Sequence, residues 1–260
     1  MSILSDALER TKRAATRRML PVLLGDRFDP ATVNPAAARH VSLFPQIGLG
    51  YNRVKKNANS TTVSILTELG TGRRLEDQSA KRSLRHLESA SWPELRRARD
   101  MHFFVITRDP YSRVLSAFLN KFAKDSYQSD FRAFPLDRGG FSDFLKWLAD
   151  GALTKDPHWD AQHKLIFAPL SAYDSVLRFE EFPDCFIDLL TRREIPVGRD
   201  LAQRMGQVNS QTRTRASAKL AEFYTPAAEA LVTDLFASDF DLLSYKRGLS
   251  PKPVAAELTS

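Results

Sequence analysis

The chain has 260 residues, 43% of them hydrophobic, with a formal net charge of +7 and a pI near 9.6, which is enough apolar material for a substantial core and calls for a polyanionic partner. Its one cysteine, Cys185, excludes an internal disulfide and suits a reducing compartment, and neither an HExxH string nor a Cys/His zinc spacing is present. No apolar run is long enough to span a bilayer, no signal-peptide pattern opens the chain, and no repeat or low-complexity linker divides it; one domain over 1–260 and cytoplasmic residence are the expectations.

In chain order, residues 4–20 predict a basic helix with a modest apolar stripe, able to touch a membrane surface or an anionic polymer, or to pack on the domain with its charges in solvent. A strand over 50–55 then leads into a polar loop with two lysines, a run of small residues and a helix over 61–69 that Gly70 closes. That order outlines a phosphate cradle. Backbone N–H groups from Asn57 to Thr61 would line the loop, Ser60 and Thr61 would add hydroxyls, and the helix would contribute its positive dipole end. It is not the GxxxxGK[ST] loop, because the lysines precede the small residues and no glycine lies between Tyr51 and Leu69. A solvated, Asn-rich turn before an amphipathic helix is the competing reading.

After a short helix over 93–98, the apolar run 101–107 is too short and too rich in aromatic and β-branched residues for a helix and predicts a strand. Asp109 and Pro110 are an N-cap followed by proline at the first helical position, so a helix is expected over 110–122. Tyr111, Val114, Leu115, Phe118, Leu119 and Phe122 form its buried stripe, which leaves Ser112, Arg113, Ser116 and Asn120 on or beside the opposite face. Arg108 ends the strand beside a helix N-terminus, a place where anions bind; a plain strand–helix corner with a surface arginine is the alternative. Helices over 141–148, 182–191 and 226–238 and a strand over 175–179 follow, and the tail past Gly248 is expected to fray.

The run from Arg108 to Phe122, RDPYSRVLSAFLNKF, resembles the 3′-phosphate motif RDPxxRLxSAFxxKF of the sulfotransferases that use 3′-phosphoadenosine 5′-phosphosulfate, in particular the branch of the Golgi chondroitin and dermatan 4-O enzymes. The string VKKNANST from Val54 to Thr61 falls where that family has its 5′-phosphosulfate loop, usually of the PKxGxT type. DPHWDAQ (156–162), YDSVLRFEEF (173–182), VNS (208–210), FYT (223–225) and SDFDLLSY (238–245) are similar to its later HWxxQ, YDxIxxxE, NxS, YxxE and DFxxFxY stretches, in the same order. The chain departs from the pattern with Lys55 for a proline, Ala58 for a glycine, Asn59 for a small or hydroxyl residue, and IFAPLS (166–171) where secretory members carry cysteines.

The resemblance implies a P-loop-like α/β fold: a mainly parallel sheet flanked by helices, with a helical C-terminal half over the acceptor cleft. It implies a carbohydrate sulfotransferase using 3′-phosphoadenosine 5′-phosphosulfate, with no metal required. Lys56, which aligns better than Lys55, would stabilise charge on the leaving phosphate, with Asn57, Ala58, Asn59, Ser60, Thr61 and Thr62 as the loop donors. Arg108 and Ser116 would hold the 3′-phosphate, with a further cation from Arg213 or Arg215. An acceptor hydroxyl needs a proton acceptor. His158 is the first candidate, with Trp159 beside it to stack on a sugar or adenine; His86, Glu88 and Asp156 are the others. His40, His102 and His163 are expected to be structural or exposed, and Glu180 and Glu181 to support the fold. A kinase-like phosphotransferase using ATP and Mg²⁺, and a non-enzymatic polyanion-binding module, are the alternatives. A dedicated nucleic-acid reader is not expected, because the basic groups are spread out, interleaved with acids, and lack an aromatic platform.

Overall fold

The computed structural model describes Leu20, Leu24, Gly25 and residues 28–75, 77–211 and 214–249. The basic segment predicted over 4–20, apart from Leu20, and the tail beyond Leu249 lie outside the described residues, as does Arg213.

Five strands form one sheet: β1 (Val41–Phe44), β2 (Leu49–Asn52), β3 (Arg85–His86), β4 (His102–Thr107) and β5 (Ser175–Arg178), in the order β3-β1-β2-β4-β5. β2 pairs parallel with β4 and β4 parallel with β5, while β1 runs antiparallel to both β2 and β3. The sheet is therefore mixed rather than mainly parallel. The expectation failed because β1 and β2 are the arms of a hairpin, joined through Gly48 at φ +64°, and β1 is buried along its whole length, so it shows no alternation to read.

The helices include α1 (Asn59–Thr71), α2 (Trp92–Ala98), α3 (Pro110–Lys121), α4 (Arg138–Trp147), α5 (Asp184–Arg192), α6 (Arg199–Gln211), α7 (Ala216–Phe223), α8 (Pro226–Leu235) and α9 (Ala237–Leu242), with the short helices Asp77–Arg82, Asp125–Asp130 and Gln162–Leu165 and several single turns between them. α1 continues through Gly70 and ends at Gly72, whose φ of +67° makes the left-handed cap that only glycine adopts cheaply. The helix expected over 226–238 breaks at Phe236 into α8 and α9.

β4 explains the layering. Phe103 and Val105 face one core with Val41, Leu43 and Leu95, while Phe104 and Ile106 face another with Val63 and Leu66 of α1 and Phe186 and Leu189 of α5. A central strand covered on both faces must be apolar at every position, which is why 103–106 reads as an unbroken run. A third, mainly helical core gathers Phe118 and Phe122 of α3 with Phe141, Phe144, Trp159 and Phe223. Each such aromatic contributes roughly 1.5–3 kcal/mol by leaving water.

α3 lies between the sheet and that helical half, so it has no solvent face over its first nine residues. Ser112, Arg113 and Ser116, expected on or beside an outward face, are buried with the stripe. Periodicity located the stripe facing the aromatic core; it carried no information about the polar contacts awaiting the other side.

Candidate active site

Because β2, β4 and β5 are parallel, their carboxyl ends sit together, with Asn52 beside Val105 and Thr107 beside Arg178. The loop after β2 and the start of α3 after β4 therefore meet, as in other open α/β sheets where ligands bind at this edge.

The loop between β2 and α1 is held by its carbonyls. Arg108 Nη1 donates to Lys56 O at 2.8 Å and Arg113 Nε to Lys55 O at 3.1 Å. Asn57 turns inward, its Nδ2 donating to Ile106 O at 2.8 Å and to Gln162 Oε1 at 2.7 Å. Lys56 and Ala58 adopt left-handed backbone, at φ +73° and +53°. This conformation costs an L-residue roughly 1–2 kcal/mol, which the carbonyl clamps offset. Ala58 stands at the N-cap of α1 and offers no side-chain acceptor, so no cap competes for the first N–H groups of the helix. An Ala58→Gly protein is expected to melt higher, by up to about 1 kcal/mol of stability, since glycine adopts φ +53° without strain. A lower melting temperature would show that the loop is not strained there.

Of the other loop residues, Ser60 Oγ accepts from Lys81 Nζ at 2.6 Å, while Asn59, Thr61 and Thr62 are buried at the helix start, Asn59 Oδ1 without a partner. Arg108 is buried over the Phe179 ring at 3.9 Å, with Nε donating to Ser112 Oγ at 3.0 Å. Ser116, two turns along α3, accepts from Thr214 Oγ1 at 3.1 Å. The fold thus brings Arg108 against the Lys56 loop and places Ser116 beside the segment that carries Thr214. Arg215 is exposed at the start of α7.

Three buried residues tie the site together. Gln162 Oε1 accepts from Arg108 N at 3.1 Å as well as from Asn57, its Nε2 donates to Arg108 O at 2.7 Å, and its own N donates to Asp239 Oδ2 at 2.7 Å. Asp239, fully buried, also accepts from His163 N at 2.9 Å and pairs with His163 Nδ1 at 2.8 Å. Arg113, 1% exposed, reaches Asp160 O at 2.7 Å and Pro157 O at 3.3 Å besides Lys55 O. Sequence reasoning missed Arg113 and Asp239 as organisers. Their signal was present only as fixed spacing inside the RDPxxR and DFxxFxY strings.

His158 sits on the loop that Arg113 holds. Its backbone N and its Nδ1 both reach Asp156 Oδ1, at 2.7 and 2.5 Å, and Tyr127 donates its hydroxyl to Asp156 Oδ2 at 3.2 Å. Trp159 cannot stack on a ligand: it is fully buried in the aromatic core, its Nε1 donating to Ala152 O at 3.0 Å. A His-Trp pair has one side chain for the core and one for the cleft, and here the tryptophan took the core. His86 lies on β3, separated from β2 by β1, next to Ser42, and Glu88 is buried in the turn that follows.

The site is crowded with positive charge. Burial and then Arg108, Lys121, Arg113 and Lys124 push the Lys56 ammonium down to about 7. Burial, Arg53 and Lys81 bring Lys55 to about 8, and Lys121 falls to about 8 through burial, with Lys124 and Lys81 adding to it. Asp156 is the carboxylate that opposes this on Lys55 and Lys121. Arg53, 8% exposed and with Nε unpartnered, extends the cluster. Lysines pushed down first by burial and then by neighbouring cations mark a place short of negative charge.

The family model of the sulfotransferase family matches residues 39–246. The chain belongs to the sulfotransferase family. No curated protein and no solved structure matches it. The matched span of this sulfotransferase opens just before β1 and closes just after Tyr245, so it encloses the loop, α3, the His158 turn and Asp239. Glu180 serves the sulfotransferase fold, accepting from Asp109 N at 2.9 Å and from the Tyr245 hydroxyl at 3.0 Å. Among the described residues, no group of three or more His, Cys, Asp or Glu side chains could hold a metal ion, and no helix is long and apolar enough to cross a membrane. A cavity of about 660 Å³ lined by Trp92, Pro93, Arg96, Arg97 and Arg99 lies on α2 and shares no residue with the loop.

Proposed function

We propose that the protein transfers a sulfuryl group from 3′-phosphoadenosine 5′-phosphosulfate to a hydroxyl of a carbohydrate, in the manner of the chondroitin and dermatan 4-O branch. The observation that carries this reading is the set of cations, Lys55, Lys56 and Lys121 depressed by burial and by neighbouring positive charge and Arg108 clamping the Lys56 carbonyl, gathered at the loop before α1, where no side chain caps the helix. Such a place favours a multiply charged anion twice over, through the helix dipole and through lysines that regain full charge when an anion arrives. When bound, the donor supplies an activated sulfuryl group on a phosphate leaving group.

This chain's residues do the remainder. Lys56, with the loop N–H groups, sits where leaving-phosphate charge is to be stabilised. Arg108 and Ser116 serve the 3′-phosphate, and Arg108 already anchors the loop through Lys56 O, so donor binding and loop shape are one device. His158 is the proton acceptor for the acceptor hydroxyl. Burial, and then Lys121 and Lys55 against the pull of Asp156, hold it down at about 4, so its ring is neutral at pH 7.

Thermal shift with adenosine 3′,5′-bisphosphate, with ATP and Mg²⁺, and with an oligonucleotide tests the reading. Stabilisation by the bisphosphate in preference to the other two is expected. Equal or greater stabilisation by ATP and Mg²⁺ would move the protein to phosphoryl transfer, and a steeply salt-dependent response to the oligonucleotide would make it a polyanion binder.

A further inference from the structure

We propose that Asp156 is a positioning residue for the transfer: it holds the His158 ring so that Nε2 is the atom turned to the acceptor hydroxyl. The inference rests on the reading of His158 as the proton acceptor.

Four groups from four segments define the surroundings of the ring. Asp156, on the same turn, accepts from both the backbone N and Nδ1 of His158 through one oxygen. Tyr127, on the short helix Asp125–Asp130, holds the other oxygen at 3.2 Å and stands perpendicular to the imidazole with ring centroids 6.3 Å apart. Lys121 from α3 and Lys55 from the loop act on the ring electrostatically, both disfavouring its protonation. Arg113 Nη2 donates to Pro157 O, so the turn bearing Asp156 and His158 is tied to the same guanidinium that holds the Lys55 carbonyl.

An ionised carboxylate only accepts hydrogen bonds, so the Nδ1 that meets Asp156 must carry the ring proton. The neutral ring then has its lone pair on Nε2, which has no hydrogen-bond partner among the described residues. Asp156 is fit for this. Burial works against its ionisation, but the hydrogen bonds from His158 and Tyr127, with the attraction of the imidazole, together keep the carboxyl below its ordinary range.

In the transfer, the acceptor O–H bond breaks and its proton passes to Nε2. The acceptor oxygen forms a bond to sulfur as the sulfur–oxygen bond to the phosphate breaks, and the electron pair of that bond leaves with the bisphosphate. The imidazolium so formed lies against Asp156, which stabilises it. Negative charge delivered beside Lys55 and Lys121 offsets the repulsion that adds to burial in keeping the ring neutral, so the proton acceptor strengthens once the donor is in place.

The test is Asp156→Asn in the full chain, with turnover followed as bisphosphate release with unsulfated chondroitin as acceptor. The amide keeps an oxygen for the His158 backbone N but loses the charge. We expect kcat to fall about 10²-fold with stabilisation by the bisphosphate retained. Because Asp156 raises the His158 pKa, its removal should also move the acid limb of the pH profile to lower pH. Nitrogen-15 NMR of the wild-type ring should show Nδ1 protonated and Nε2 bare, and the variant should gain the opposite tautomer. A wild-type ring protonated on Nε2, or a variant with unchanged kcat and acid limb, would overturn the role of Asp156. The wild-type ring measurement decides even where the variant fails to fold. Full turnover in His158→Ala would instead remove the base, while stabilisation by the bisphosphate would leave the donor reading standing.

Discussion

A Lys56→Ala protein is expected to keep its fold and lose about 10²–10³-fold in kcat, the scale on which removing one preorganised stabiliser of leaving-group charge is felt. Lys56 is held in place by backbone rather than by side-chain bonds: its carbonyl is gripped by Arg108 and its φ is +73°. Truncating the side chain therefore spares the loop. Its depressed pKa, about 7, has a second consequence. In the free protein the ammonium is largely lost as pH rises through 7, whereas a bound anion favours the charged form, so affinity for the bisphosphate should weaken between pH 6 and pH 8. In the alanine variant that part of the pH dependence should vanish. A variant with wild-type kcat would shift the charge-stabilising role to Lys55 or Lys121.

The largest expected effect on stability belongs to Arg113, whose partners are three backbone carbonyls and which is 1% exposed. Burial lowers its pKa to about 10 even with Asp239 and Asp160 favouring the charge. Arg113→Met fills much of the volume but leaves those carbonyls unpaired and the fully buried Asp239 without its nearby cation. The cost should be about 3–5 kcal/mol, a fall in melting temperature on the order of 10 °C for a chain of this size. Urea denaturation would measure it. A loss below about 1 kcal/mol would mean that the loop and the His158 turn hold their places without this clamp.

Why the sequence showed some of this and hid the rest follows from the range of each interaction. Asp109 and Pro110 start α3 where expected because an N-cap is local: Asp109 accepts from Ser112 N, three residues on. The apolar run of β4 was legible because both of its faces are covered. β1 was not, since its partners β2 and β3 declare themselves only across a hairpin and a long crossover, and without it the sheet looked mainly parallel. In the site, the cationic loop and Arg108 stood out as charge near a strand end. That Arg113 points into the protein depends on Asp160 and Pro157, more than forty residues away. The same holds for Gln162 and Asp239, and for Trp159, which a sequence cannot assign to cleft or core until the aromatic cluster around Phe122 exists.

Whether the Lys56 loop is the donor's phosphate site is decided by calorimetric titration of the wild-type and Lys56→Ala proteins with adenosine 3′,5′-bisphosphate at pH 6 and pH 8. One-to-one binding is expected that is tighter at pH 6, takes up protons relative to the alanine variant, and is weakened by the substitution. Binding of equal strength in the two proteins at both pH values, or none in the wild type, would contradict it.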